Sequence, residues 1–353
     1  MDLVRREIGR DLDFLGFGPQ EHGYRVALET RGARLRAYHE PGATGPPVLI
    51  IPAPFKRPYI WDLLPDVSVV RRFLRGGFRV YLIDWSMPGR REDDLGLADY
   101  ARYIPHAAVQ AINEETGSAG AILAGNSIGG TLATIFATLF PEHAAGLALI
   151  DAPLAFGVHG GPLGAAVAMA PNARLIRLLF GSPVPGSAIS SLCAAAAPEV
   201  FQLQRQYDLL SCLFDAKALA IHLCMERWSY DEFPMPGRLF EDIMEELYRN
   251  DRFVEGTLDL DGWTARLADL RGRVLAVVNS AGIVVPPGSV LEGLKMARGA
   301  CVDLLEYDWD AGPMFQHLGP LVAQAAHERL WPMILEWASA LSVAKACGDR
   351  SAS

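Results

Sequence analysis

The segment AILAGNSIGGTLATIFATLF, Ala121 to Phe140, decides how this chain is built. Its first part is a short apolar run, the pattern of a strand buried on both faces, and the part after the serine reads as a helix rich in small residues. Between them lies G-x-S-x-G, Gly125 to Gly129, followed by Gly130. A strand that turns so tightly into a helix brings its own backbone close around the serine, so the flanking positions must be small. Ser127 then projects at the helix N-terminus, where the dipole favours developing negative charge, and the Ile128 amide faces an oxyanion. Ser127 is therefore the candidate nucleophile, with Gly125, Gly129 and Gly130 as its structural support; a bare structural turn is the plainer alternative.

Outward from this segment the same rhythm recurs. YRVALETRGARLRAYHE reads as a hairpin around Arg31-Gly32, VLIIPAP as a buried strand, the stretch from about Asp66 to Arg75 as a helix and FRVYLIDW as a strand. Downstream, AGLALIDAP, GRVLAVVNS and CVDLLEYD are further strands, and QAAHERLWPMILEWASALS is an amphipathic terminal helix. Apolar strands alternating with helices predict an α/β fold with a mostly parallel sheet covered on both faces. From about Phe156 to Ala268 the pattern turns helical and rich in glycine and proline. The expected organisation is a core over 1–155, an inserted, mainly helical lid over 156–267, and the rest of the core with the terminal helix over 268–353.

A serine hydroxyl needs a base to take its proton, and in this architecture the base follows the last strand. His317, in GPMFQHLGP, fits that place, on a loop after CVDLLEYD. His327 falls in the terminal helix, His159 and His222 in the inserted block, and the other histidines beside other elements, where packing or surface roles suffice. The second oxyanion amide is expected from PAPFKRPY. Pro52 and Pro54 have no N–H, which leaves Ala53, Phe55 or Lys56, of which Phe55 is the choice. Lys56 and Arg57 are either loop charges or a grip on a phosphate-bearing acyl carrier.

The 353 residues carry a net charge of −9, and no basic run is interleaved with aromatics, so nucleic acid is not an expected partner. No apolar run is long enough for a transmembrane segment and MDLVRREIGRDLDFLG has no apolar signal core, which gives a cytoplasmic location as the expectation. Five scattered cysteines without a C-x-x-C pair read as reduced, buried thiols. No H-E-x-x-H or comparable ligand spacing occurs, and neither a metal nor another cofactor is expected.

RPYIWDLLPDVSVVRRFLRGGFRVYLIDWSMP, MERWSYDEF, FEDIMEELYRNDRFVEGTLDLDG, VVPPGS and HLG together make the chain resemble, over most of its length, the polyhydroxyalkanoate synthases of the short, partner-dependent type and their α/β-hydrolase relatives. The resemblance implies an α/β-hydrolase fold, an acyl-ester or acyl-thioester substrate such as an acyl-CoA, and a homodimer or a partner subunit. Members of that family use a cysteine in the elbow, with aspartate and histidine partners. Here Ser127 stands at the cysteine position and His317 at the histidine position, while Gly282 in NSAGIVVPP stands where the aspartate is expected. Serine depends on its base more than a thiol does, and a related triad without its carboxylate loses about four orders of magnitude in rate. Asp151, ending AGLALID, is the candidate replacement, because its strand follows the elbow strand and delivers it to the same edge; Asp310 is the second candidate, and a local turn before Pro153 is the plain reading of Asp151. The expected activity is that of a serine acyl hydrolase or acyltransferase, with a polymerase subunit or a catalytically silent binding paralogue as alternatives.

Overall fold

The computed structural model describes residues 1–308 and 313–350. Eight strands form one sheet: β1 (Arg25–Thr30), β2 (Ala33–Ala37), β3 (Pro47–Ile51), β4 (Arg79–Trp85), β5 (Ala121–Asn126), β6 (Ala144–Ile150), β7 (Gly272–Asn279) and β8 (Ala300–Tyr307). Their spatial order is β1-β2-β4-β3-β5-β6-β7-β8, antiparallel from β1 through β4 and parallel from β4 onward. Strands β3 and β5 are buried at every residue, which is why their sequences are continuously apolar rather than alternating.

Helices cover both faces. After α1 (Asp2–Phe14) come α2 (Val69–Arg75), α3 (Ile104–Thr116) and α4 (Ile128–Leu139), and the chain between β6 and β7 supplies α5 (Gly161–Met169), α6 (Ala173–Phe180), α7 (Gly186–Ala196), α8 (Gln204–Cys212), α9 (Ala216–Tyr230) and α10 (Gly237–Asp242). Then α11 (Pro287–Met296), α12 (Pro313–Val322) and α13 (Trp331–Arg350) complete the set. Two buried clusters flank the sheet, one holding Leu132, Phe136 and Leu149, the other Phe73, Leu275 and Trp331. Among the described residues no single helix is long and apolar enough to cross a membrane.

Helix α1 was not legible as an element, yet it is tied firmly to the block between β6 and β7. Its Arg5 and Arg6 bond Glu232, and Asp13 takes two bonds of 2.7 Å from Arg227 on α9. One expectation is corrected here: His317 lies inside α12, not on a loop. Its sequence carries glycine and proline, and Pro320 is accommodated within the helix. Trp309 and Asp310 lie outside the described residues.

Candidate active site

Parallel strands deliver their C-terminal ends to one edge, so residues following β3, β5, β6 and β8 converge. Ser127 sits between β5 and α4 with φ 54° and ψ −137°, a conformation few non-glycine residues adopt. The glycines make that turn possible. A Cβ on Gly125 would lie 2.6 Å from Gly130 Cα, one on Gly129 would strike Ile51 O, and one on Gly130 would strike the Ala152 methyl. The turn is also pinned to the neighbouring strand: Ile150 O accepts from Ser127 N at 3.2 Å and from Asn126 Nδ2 at 2.9 Å.

The next residue on that strand is Asp151, also left-handed at φ 47°, with its own N–H donating to Val277 O of β7 at 2.9 Å. Its buried carboxylate does not serve a local turn. Oδ2 lies 2.7 Å from His317 Nδ1, across a sequence gap of 166 residues. Burial pushes the Asp151 carboxyl above its ordinary range, and the hydrogen bond and positive field of His317 oppose that shift. A carboxylate on Nδ1 fixes the tautomer that leaves the Nε2 lone pair free to take a proton.

Gly282 cannot fill this role. The loop after β7 is a tight turn, with Asn279 Oδ1 accepting from Ala281 N and Asn279 O from Gly282 N. A Cβ on Gly282 would lie 2.5 Å from Val285 O and 3.1 Å from Asn279 O.

Ser127 and His317 share the wall of one cavity of about 400 Å³, together with Asn126, Ile128, Ala53 and Phe55. Among the described residues no hydrogen bond joins the Ser127 hydroxyl to the imidazole, a contact that commonly tightens only with substrate bound. The loop after β3 is held by Trp85, whose Nε1 donates to Pro52 O at 3.0 Å. In a trans peptide the Ala53 N–H then points away from Trp85, and Gly129 packs against this same peptide. Trp228 also lines the cavity, with its Nε1 bonded to Arg57 O at 2.8 Å.

Other polar residues away from this edge have structural places. Asp84 is buried between Arg34 and Arg36. His327 is buried between Arg72 and Leu321 O, and burial brings it down to about 4. No cluster of three or more ligating side chains suited to a metal occurs among the described residues.

A strand-turn-helix serine, a histidine and a carboxylate at one edge of a mostly parallel sheet define an α/β-hydrolase site. Residues 41–332 match the family described as "Alpha/beta hydrolase family", and the chain belongs to it. Within that family it is similar to polyhydroxyalkanoate synthases: it is 30% identical over 295 residues to the poly(3-hydroxyalkanoate) polymerase subunit PhaC of Haloferax mediterranei, covering 82% of this chain and 58% of that one. Against the same-named subunit of Allochromatium vinosum identity is 27%, covering 84% of this chain and 81% of the relative. The chain thus spans about three fifths of the haloarchaeal relatives it matches. Among solved structures, a monoacylglycerol lipase of Paleococcus ferrophilus superposes with a TM-score of 0.54 at 15% identity, covering 89% of this chain and all of that one. A carboxylesterase of Nitrososphaera gargenis gives 0.53 at 14% identity, covering 91% and 99%. Both likenesses are to the fold.

Proposed function

We propose that the chain is a serine acyl hydrolase or acyltransferase whose triad is Ser127, His317 and Asp151, acting on a hydroxyacyl ester or thioester such as an acyl-CoA. The observation that carries this reading is the 2.7 Å bond between His317 Nδ1 and a buried carboxylate at the strand end beside the elbow. A silent binding paralogue has no need to bury a carboxylate against that histidine. The polymerase names of its relatives supply the substrate class.

Ser127 Oγ attacks the acyl carbon as His317 Nε2 takes its proton, and Asp151 stabilises the imidazolium. The oxyanion is held by the Ile128 amide and by an amide of the loop after β3. For the second donor the Trp85-pinned peptide favours Ala53 over Phe55. The imidazolium returns its proton to the departing alkoxide or thiolate as the C–O or C–S bond breaks, leaving acyl-Ser127. Water then gives an acid, and a hydroxyl gives an ester. The block 156–267 acts as a lid over this edge, the protein works in the cytoplasm, and a homodimer or partner subunit completes a polymerase if elongation is its task.

The test is intact-protein mass with 3-hydroxybutyryl-coenzyme A, on wild type and Ser127→Ala, while thiol release is followed and products are separated. An adduct and thiol release lost in the variant support the reading, free acid marking a hydrolase and oligomer a synthase. No adduct with this thioester and none with a broad fluorophosphonate overturns it.

A further inference from the structure

The cavity that holds Ser127 is apolar over most of its wall, with Val167, Ile176, Ile189, Ile243 and Met244 along it. Its fixed charges are all of one sign. Arg5, Lys56 and Arg57 line it, and no aspartate or glutamate is among its described lining residues, in a chain whose net charge is −9. Behind the wall stands Glu232, whose side chain is wholly buried. Oε1 accepts from Arg5 Nε at 2.6 Å, and Oε2 accepts from Lys56 Nζ and Ser190 Oγ, both at 3.1 Å. Two cations therefore share one carboxylate. Arg57 is balanced separately: Asp231, 4.0 Å from it, also bonds Arg227 at 2.8 Å, and Arg227 is bonded in turn by Asp13, so the surplus charge is that of Arg5 and Lys56 against Glu232.

An unbalanced positive charge beside apolar surface is costly unless an anion completes it. Lys56 uses two of its three N–H donors, on Glu232 and on Ser229 O, and Arg5 bonds Glu232 through Nε, which leaves Nη1 outside that bond. Burial holds the Lys56 ammonium below its usual range, which an anionic ligand would reverse. The geometry points to a subsite for a carboxylate carried on the acyl portion of the substrate, held by Lys56 and Arg5 while the apolar wall takes the chain between that carboxylate and the ester at Ser127. One spare ammonium donor and a half-buried guanidinium suit a monoanionic carboxylate. The inference rests on the proposed reaction only for which end of the ligand faces Ser127.

Binding separates the two ideas, because it needs no turnover. Monomethyl adipate and dimethyl adipate are titrated calorimetrically into Ser127→Ala. The expected result is at least tenfold tighter binding of the monoester, a preference that weakens with added salt and falls to about unity in Lys56→Met and in Arg5→Met. Glu232→Gln, which removes the competing carboxylate, is expected to tighten the monoester further, so a folded variant with a gain reads out even where Lys56→Met is unstable. Equal affinity for the two esters, or tighter binding of the diester, overturns the subsite. Displacement of neither ester by adipate but of both by coenzyme A also overturns it, since the cations then serve the carrier.

Discussion

At the scale of single residues, the proposed triad hangs on Asp151, whose buried carboxylate is costly to keep ionised. Its buried carboxyl is raised above the ordinary range, so the folded state holds its proton more tightly than the unfolded chain does. For an acid shifted upward, the associated stability is present at low pH and lost as pH rises through the folded value. At neutral pH the ionised group is therefore a burden on the fold. Asp151→Asn is expected to leave the melting temperature unchanged or raise it, while lowering the acylation rate by about four orders of magnitude; stopped-flow thiol release and calorimetric melting read the two effects. Gly282→Asp in that background is expected not to restore turnover, because the new side chain meets Val285 O, and to lower stability by about 1–3 kcal/mol, the usual cost of overpacking. Denaturant titration and a turnover assay on the double variant decide it.

Among the elements, α1 reaches to residues more than 180 positions away in the block between β6 and β7. The Asp2 carboxylate accepts from Ser187 N at 3.0 Å and Gly186 N at 3.2 Å, capping α7 from another part of the chain. Asp2→Ala is expected to cost about 1 kcal/mol, as the loss of an N-cap does, measured by urea unfolding. The α/β alternation, the hairpin around Gly32 and the helical block between β6 and β7 were legible in the sequence because each has a local period or a local turn residue. Ser127 and its glycines were legible for the same reason. The pairing of Asp151 with His317 was only half legible, since the spacing of strand ends is set by sheet order, which no local pattern carries. The Arg5–Glu232–Lys56 cluster was not legible at all, as its partners lie 176 or more residues apart. His317 does follow β8, but in a different conformation: Gly319 and Pro320 read as loop, yet α12 runs through both.

For the whole molecule, pH acts through His327, which packs in the second core cluster's helical layer against Trp331. Burial brings it from its ordinary 6.5 to about 4, with the Arg72 cation adding to that effect and the bond to Leu321 O opposing it. A base shifted downward contributes stability that is present above its unfolded value and lost as pH falls toward the folded one. Unfolding free energy is expected to decline between about pH 6.5 and 4, and His327→Gln to flatten that decline; urea titrations across this range check it.

The closed position at Gly282 has a consequence for how working and silent chains of this architecture are told apart. In the proposed triad the imidazole needs a carboxylate opposite Nδ1, and the end of β6 supplies it where the adjoining end of β7 holds a glycine. A roster drawn up by looking for an acid after β7 would strike this chain off as dead. A roster drawn up by asking what stands opposite Nδ1 would keep it, together with any other chain whose acid has changed seats.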